Sequence, residues 1–239
     1  MSEASRQAPD PPAEAGLSAA PPPGLLEALR QVVGDEGLLT RPEELFVYEA
    51  DGLTLHRALP GAVVLPRSTA EVANVVRACR RFGVPFVPRG AGTGLSGGAI
   101  ALEGGIVIEC ARMNRILRVE PRDRIAVVQP GVVNAELSRA IAHHGLFYAP
   151  DPSSQAACTL GGNVAENSGG PHTLKYGTTT QHVLALELVL PDGEVVRLGS
   201  ETGFADGFDL VGAGVGSEGT CGVVTEVTVR LCPLPEAVE

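Results

Sequence analysis

Residues 88–98 read Pro-Arg-Gly-Ala-Gly-Thr-Gly-Leu-Ser-Gly-Gly, and this stretch restricts the fold more than any other part of the chain. Residues 92–97 match the dinucleotide pattern GxGxxG, but a Rossmann site also needs a helix that begins at the loop and an acidic residue about 20 positions later. Here Gly104-Gly105 leads straight into an apolar run from Ile106, which leaves no room for that helix. We therefore predict that the glycine loop, residues 90–98, exposes main-chain N–H groups that bind an anion such as a diphosphate. A surface loop of simple turns is the alternative.

The residues on either side of the loop predict a small unit of parallel strands. A capping box at Ser68 and Glu71 starts a helix, apolar residues follow at helical spacing, and Gly83 ends it. Strand, helix and strand in this order favour parallel pairing. The strands of this unit are expected at 62–65, 84–87 and 106–109, after a first short helix at 24–34.

The second half of the chain predicts a mostly antiparallel sheet. Pro191-Asp192-Gly193 separates two apolar runs and indicates a hairpin. Apolar residues alternate from Val223 to Leu231, as in a half-buried strand. Further elements are expected as strands at 116–119, 125–128, 183–190 and 194–198 and as a helix at 133–144.

Together these patterns indicate an α+β fold with two lobes. A small βαβ lobe with parallel strands would cover residues 24–112, and a larger, mostly antiparallel lobe flanked by helices would cover residues 113–235. The two lobes would form one domain. Residues 1–23 are rich in Pro and Ala and are expected to be a disordered leader, and residues 236–239 to begin a linker.

A second long segment, residues 150–177, shows neither strand nor helix periodicity. Its first part reads Pro-Asp-Pro-Ser-Ser-Gln-Ala-Ala-Cys-Thr-Leu-Gly-Gly-Asn-Val-Ala-Glu-Asn-Ser-Gly-Gly. Small and hydrogen-bonding residues of this kind suit a wall that a flat, polar ring such as flavin approaches closely. An Ω-loop packed on itself is the alternative.

Five spaced motifs give the chain a specific family resemblance. They are Arg89–Gly98, Asp151–Ser154, Thr159–Gly170, Lys175–Gly177 and Gly216–Thr225. Together they resemble the PCMH-type FAD-binding domain of the vanillyl-alcohol oxidase superfamily. Within it they are most similar to the FAD-linked subunit of glycolate oxidase and to D-lactate and D-2-hydroxyglutarate dehydrogenases.

The resemblance implies that this chain binds FAD, and it assigns residues to that task. The pyrophosphate would lie on Gly90, Ala91, Gly92, Thr93 and Gly94, with Gly97 and Gly98 close by. The residues that would line the flavin are Ser153, Thr159, Leu160, Gly162, Asn163, Gly169, Gly170 and Val223. Leu95 and Arg89 complete the cofactor set, and Arg89 faces either the phosphates or a carboxylate. No histidine stands near Thr93, so the FAD would be non-covalent.

The resemblance also implies a reaction in which FAD accepts a hydride from a 2-hydroxy acid such as glycolate or D-lactate. Relatives continue into a cap domain and a C-terminal segment that supply the substrate arginine and the catalytic histidines, whereas this sequence stops at Glu239. His172 is the best local candidate for a general base, although a structural hydrogen bond in the loop explains it better. An FAD-binding module without turnover, or with flavin as a folding ligand only, is therefore the alternative.

Composition excludes several other functions. A net charge of −10, from 18 basic and 28 acidic residues, argues against a nucleic-acid binder. No apolar run approaches the roughly 18 residues of a transmembrane helix. Five cysteines without a CxxC pair, and no HxH or HExxH, predict reduced thiols and no metal site. The expected partners are a 2-hydroxy acid, if a cap is supplied, and subunits of a glycolate oxidase complex including an iron–sulfur subunit. The expected location is the cytoplasm or, through partners, the inner face of the membrane.

Overall fold

The structure is a computed structural model that describes residues 20–102, 104–204 and 207–235. The predicted leader lies almost entirely outside these ranges, and the predicted linker at 236–239 lies outside them completely. In the described ranges the strands are β1 (Leu38–Leu39), β2 (Ala62–Val64), β3 (Phe86–Arg89), β4 (Ile106–Glu109), β5 (Ile116–Glu120), β6 (Ile125–Val128), β7 (Leu146–Phe147), β8 (Val183–Val189), β9 (Val195–Gly199), β10 (Val223–Arg230) and β11 (Cys232–Pro233). The α-helices are α1 (Pro23–Val33), α2 (Pro42–Leu45), α3 (Thr69–Phe82), α4 (Asn134–Ile141), α5 (Leu160–Glu166), α6 (Thr173–Tyr176) and α7 (Leu210–Gly214).

The first sheet contains the predicted parallel unit. β2 and β3 both run parallel to β4, which lies between them, and β1 adds an antiparallel edge beside β2. Helices α1 and α3 cover one face of this sheet. The buried residues of that core include Leu25, Leu29, Val64, Val72, Val75, Val76, Cys79, Ile106 and Ile108. The short first helix and the parallel strands are thus confirmed, although β3 begins at Phe86 rather than at Val84.

The ends of α3 show how local sequence sets its bounds. The Ser68 side chain accepts a hydrogen bond from the Glu71 N–H at 3.2 Å, as expected of an N-cap. The Glu71 carboxylate bonds back to the N–H of Arg67 rather than to that of Ser68, so only half of the predicted capping box forms. Gly83 ends the helix with a φ of 65°, a left-handed conformation that favours glycine.

The second sheet is antiparallel throughout and has the strand order β5-β6-β10-β8-β9. The predicted hairpin is present, with Val189 opposite Val195 and Gly193 in the turn at a φ of 84°. Helices α4 and α5 supply apolar side chains to one face. The core there includes Leu137, Ile141, Leu160, Val164, Ala126, Val128, Leu186, Val227 and Val229.

The two sheets contact each other through β8 and β10. Val189 and Val223, from the ends of these strands, belong to the core of the first sheet. Thr69 Oγ1 at the start of α3 donates to the Glu187 carboxylate at 2.8 Å. The glycine loop leaves β3 beside this junction, so the loop and the second sheet share a boundary. The lobe division near residues 111–115 stays a prediction, although residues 110–115 do connect the two sheets.

The expectation of an irregular segment over residues 150–177 is wrong, because the segment contains α5 and α6. Thr159 caps α5, and Leu160 and Val164 are buried on one face, four residues apart. The Gly161-Gly162 pair hid this helix, since glycine disfavours helix interiors. The helix expected at 133–144 is α4 followed by a 3₁₀ turn. Within the described ranges, no helix is both long and apolar enough to cross a membrane.

Candidate functional site

A cavity of about 450 Å³ lies where the glycine loop meets the start of α5. Its walls come mainly from three segments, residues 88–99, 158–168 and 217–224. The first two touch directly, since Ser96 Oγ donates to the Glu166 carboxylate at 2.8 Å. The predicted site residues that line this cavity are Arg89, Gly90, Ala91, Gly92, Thr93, Gly94, Leu95, Gly98, Thr159, Gly162, Asn163 and Val223. The two segments singled out from the sequence therefore face one shared space.

The middle of the glycine loop keeps its N–H groups unpaired. In the part of the chain that the structure describes, the N–H groups of residues 91–96 donate to no protein acceptor. Gly92 and Gly97 have φ values of 67° and 81°, in the left-handed region that favours glycine. A Cβ on Gly90 would lie 2.4 Å from Thr159 Oγ1, so the facing segment approaches the main chain closely. Consecutive unpaired amides of this kind form a concave site for anionic oxygens.

The start of α5 offers no comparable set of donors. The N–H of Leu160 donates to the Val132 carbonyl and that of Gly161 to the Pro130 carbonyl, at 2.9 and 2.8 Å. The next N–H bonds to the capping Thr159 side chain at 3.3 Å. Because these donors are used inside the protein, α5 contributes a close main-chain wall to the cavity rather than an anion site.

Asn163 adds a polar group to that wall. Its side chain is 1% exposed, and neither its amide oxygen nor its amide nitrogen has a hydrogen-bond partner in the described structure. An unpaired buried amide costs about 1–3 kcal/mol. Both amide atoms are closed off from solvent in this structure, so they can bond a ligand in the cavity only if the wall shifts. A flavin ring carries both a donor and acceptors.

The fixed charges around the cavity are mostly negative. Asp51, Glu166 and Glu218 line it, and among the described lining residues the one basic side chain is that of Arg89. Two thiols, of Cys110 and Cys158, also reach the cavity. Burial raises the pKa of Cys110 to about 12 and raises the pKa of Cys158, so both thiols are protonated near neutral pH.

Residues 60–199 match the family model described as an FAD binding domain. This chain belongs to that FAD-binding domain family. It is 51% identical over 211 residues to the glycolate oxidase subunit GlcD of Escherichia coli (strain K12), a match that covers 88% of this chain and 42% of that protein. It is 44% identical to GlcD of Bacillus subtilis (strain 168), over 88% of this chain and 45% of the relative. It is 42% identical to a D-lactate dehydrogenase of Anaerostipes hadrus, over 76% of this chain and 38% of the relative.

Solved structures agree with this family assignment. An alkyldihydroxyacetonephosphate synthase superimposes with a TM-score of 0.80 at 26% identity, over 90% of this chain and 41% of that one. A p-cresol methylhydroxylase with substrate bound has a TM-score of 0.76 at 22% identity, over 90% of this chain and 44% of that one. This likeness shows the shared fold. The α+β, PCMH-type FAD-binding fold and FAD as its cofactor are thus confirmed. The chain spans about two fifths of the length of the curated relatives it matches.

Arg89 of this FAD-binding domain is largely committed to protein contacts. Its guanidinium donates to the carbonyls of Ala50 and Ala99, at 3.0 and 3.2 Å, and lies 3.8 Å from the Glu109 carboxylate. It also stacks over the Tyr48 ring, 5.5 Å from the ring centre. Of the two alternatives predicted for Arg89, the structure places it beside a carboxylate.

Two carboxylates near the glycine loop were missed in the sequence. Asp51 accepts the N–H of Gly97 at 2.8 Å and that of Leu53 at 2.9 Å, and therefore fixes the end of the loop. Glu109 ends β4 and is 5% exposed. Burial raises the pKa of Glu109 to about 7, although the Ala111 N–H and Arg89 both lower it. An Asp-Gly turn signal at residues 51–52 was visible, but nothing local indicated its distant partner.

Five predicted cofactor residues do not line the cavity. Gly97 borders an adjoining cavity of about 510 Å³, which shares Pro88, Gly98, Glu218, Gly219 and Gly222 with the first. Ser153 is exposed in a turn, and Leu160 is fully buried in the core. Cβ atoms on Gly169 and Gly170 would lie 2.6 Å from Thr173 Oγ1 and 2.0 Å from the Asp151 carbonyl oxygen. Contact between these five residues and FAD stays a prediction.

The histidines lie outside the cavity wall. His172 Nδ1 is 2.7 Å from the Asp151 carboxylate, and the side chain is 60% exposed. His182 is buried with Nε2 at 3.0 Å from the Tyr176 carbonyl, and burial lowers its pKa. No group of three metal-ligating side chains occurs within the described ranges. In the described structure, a proton-accepting histidine is therefore not at hand beside the cavity.

Proposed function

We propose that the cavity holds FAD with its pyrophosphate on the amides of residues 91–96 and its flavin ring against α5. Two features of one cavity support this arrangement, namely the unpaired loop N–H groups and the polar Asn163 in the wall that faces them. Asp51, Glu166 and Glu218 in the lining oppose a pyrophosphate by charge, so the loop amides have to outweigh that repulsion. Asp51 and Glu166 accept hydrogen bonds from Gly97 and Ser96, which fixes where their carboxylates lie. The observation on which the proposal depends is that the loop residues 91–96 and Asn163, 67 or more residues apart in sequence, line the same cavity.

The binding would be non-covalent. A covalent flavin link needs a nucleophilic side chain, and none of the histidines lines the cavity in the described structure. The cavity thiols of Cys110 and Cys158 are held in the protonated form by burial. Retention of FAD would then depend on the loop amides, the Thr159 and Asn163 side chains and the close approach of the main chain.

The domain would serve the oxidation of a 2-hydroxy acid of the glycolate or D-lactate type. This part of the proposal rests on relatives that are named glycolate oxidase subunit and D-lactate dehydrogenase. When bound, FAD supplies the hydride acceptor. The residues of this chain would hold and orient the cofactor and shield one side of it from water. Groups that bind the substrate carboxylate and accept the hydroxyl proton would come from sequence beyond the matched region or from another subunit.

Partner subunits follow from the same relatives. GlcD is named as a subunit of glycolate oxidase, and the chain shares 51% of its residues with that of Escherichia coli over the matched region. We propose that this protein works beside other subunits, among them an iron–sulfur protein that would take electrons from the reduced flavin. Its place would be the cytoplasm or the inner face of the membrane.

The test uses purified protein loaded with FAD under anaerobic conditions. Glycolate and D-lactate are added in turn, with L-lactate as the matched control, and the visible flavin absorbance is followed. The experiment is repeated with the C-terminal region of a close relative supplied as a separate chain. Loss of absorbance with glycolate or D-lactate in either format supports the oxidation. Bound flavin that keeps its absorbance in both formats would favour an FAD-binding module without turnover.

A further inference from the structure

The guanidinium of Arg89 joins three segments that are distant in sequence. Its two terminal nitrogens donate to the carbonyl of Ala50, in the segment between α2 and β2, and to that of Ala99, directly after the glycine loop. The loop passes directly over it, because a Cβ on Gly92 would lie 2.2 Å from Nη2 of Arg89. The side chain is only 7% exposed. Arg89 stands just before the loop and bonds the residue just after it as well as a neighbouring segment, and such a buried arginine fixes the path of the loop.

Residues 50–52 hold the same loop at two further points. Asp51 accepts the Gly97 N–H at 2.8 Å, and the Gly52 N–H donates to the Gly94 carbonyl at 2.9 Å. Since these bonds use one loop N–H and one loop carbonyl, the N–H groups between them stay available. The loop shape that exposes the N–H groups of residues 91–96 is thus held by the bonds of Arg89 and by those of residues 50–52.

Glu109 is the charge partner of Arg89 and lines neither cavity of the described structure. Its carboxylate lies 3.8 Å from Nε of Arg89, and its side chain is 7% exposed. It is absent from the described lining of both cavities. A substitution of Glu109 can therefore reach a ligand in the cavity only indirectly, through Arg89 and the loop or through the adjoining Cys110, since the carboxylate also accepts the Ala111 N–H at 3.1 Å.

We propose that Arg89 is a positioning residue that holds the glycine loop in its amide-exposing shape, and that Glu109 keeps the Arg89 guanidinium in place. The proposal rests on the proposed FAD site. It assigns Arg89 a role different from that of a phosphate ligand, because each of its two terminal nitrogens already donates one N–H to a main-chain carbonyl. The other N–H groups of the guanidinium stay available, so a measurement without FAD is needed to separate the two roles.

The experiment compares Arg89→Lys, Glu109→Gln, the double variant and the control Arg77→Lys at about pH 8, above the Glu109 pKa of about 7. Arg77 makes the same kind of bond, from Nη2 to the Gly193 carbonyl at 2.6 Å, far from the cavity. A lysine keeps the charge but replaces two separate terminal nitrogens by one, so the bonds to both carbonyls cannot keep their geometry and Arg89→Lys should weaken FAD binding by about tenfold or more. Arg77→Lys should change it by less than about twofold.

The coupling between the two residues is measured by the double-mutant cycle. Glu109→Gln alone should weaken FAD binding, and adding it to Arg89→Lys should cause little further loss, because both act through the same guanidinium. Additive losses, or an Arg89→Lys affinity within about twofold of wild type, would overturn the proposal.

A measurement without FAD separates loop positioning from direct phosphate contact. Leu95 is 63% exposed in the loop. Thermolysin cleaves before apolar residues, so the fragment that begins at Leu95 is followed separately from the other fragments by mass spectrometry. In FAD-free protein, Arg89→Lys should speed cleavage at Leu95 by about tenfold, and Arg77→Lys should leave it unchanged. An unchanged rate in Arg89→Lys, together with weaker FAD binding, would identify Arg89 as a phosphate ligand and overturn the positioning role.

If single variants fail to fold, Arg89→Met with Glu109→Leu removes both buried charges together, a change that proteins often tolerate. It should lose FAD binding although it is folded, and wild-type affinity in this variant would overturn the proposal. Wild-type protein that binds no FAD would overturn the proposed function as well. Wild-type binding with unaffected variants would overturn the positioning role alone.

Discussion

At the scale of single residues, Gly92 combines a left-handed φ of 67° with a position directly over the Arg89 guanidinium. Gly92→Ala should therefore strain the backbone and displace Arg89, with a loss of FAD affinity of about tenfold or more. Gly145→Ala is the matched control, since Gly145 has a φ of 71° but open space around its added Cβ. Flavin absorbance of the dialysed proteins checks this. Equal FAD content in both variants would mean that the loop shape at Gly92 is unimportant.

Asn163 should show opposite effects on stability and on binding. Its amide is buried without a protein partner, so Asn163→Leu should leave the FAD-free protein as stable as wild type or more stable, and should weaken FAD binding by about tenfold. The control is Asn134→Leu, because Asn134 Nδ2 donates to the Pro150 carbonyl at 2.9 Å and its loss should destabilise by about 1–3 kcal/mol. Urea unfolding and FAD titration measure the two quantities. Unchanged FAD affinity in Asn163→Leu would exclude the amide from the site.

Residues with a local signal were predicted, and residues defined by distant contacts were not. The loop glycines and Asn163 stand in motifs that the sequence displays, and all of them except Gly97 line the cavity. Asp51 showed only a turn signal and Glu109 showed none, because their roles depend on Gly97 and Arg89, which reach them only after folding. Gly170 was assigned to FAD from its motif, but the structure packs it against Asp151.

At the scale of elements, two N-caps separate stability from binding. Ser68 caps α3 away from the cavity and Thr159 caps α5 in its wall. Ser68→Ala and Thr159→Ala should each lower the free energy of unfolding by about 1 kcal/mol. Only Thr159→Ala should also weaken FAD binding. Urea unfolding with FAD titration tests the pair, and an equal effect of both variants on FAD binding would contradict the position assigned to α5.

Helices and strands were predicted correctly where their apolar residues recur at a single regular spacing. α3, the hairpin of β8 and β9, and β10 were expected because apolar residues recur at helical or alternating spacing. α5 was missed, since two glycines follow its first residue and only tertiary packing of Leu160 and Val164 makes it stable. The pair formed by β7 and β11 is too short for any periodicity to show.

At the scale of the whole molecule, the buried Glu109 makes stability depend on pH. Burial raises its pKa from 4.5 to about 7, so the folded protein favours the protonated carboxyl. The stability that this group contributes to the fold is therefore complete below about pH 4.5 and is lost as the pH rises through 7. The groups that face it include Arg89, Tyr48 and the neighbouring Cys110. Between these pH values, wild type should lose about 3 kcal/mol relative to Glu109→Gln. Urea unfolding across this range measures the loss, with exposed Glu43→Gln as control, and parallel pH profiles for wild type and Glu109→Gln would contradict it.

The measurement that tests the account most directly is calorimetric titration of flavin-free protein with FAD and, in parallel, with riboflavin, which lacks the pyrophosphate and the adenosine. FMN, which has one phosphate and no adenosine, separates the two contributions and should bind more tightly than riboflavin. If the amides of residues 91–96 grip the phosphates, FAD should bind one site per chain at least about 100-fold more tightly than riboflavin. Equal affinities for the two ligands, or no binding of FAD, would contradict the claim that the glycine loop and α5 together form the cofactor site.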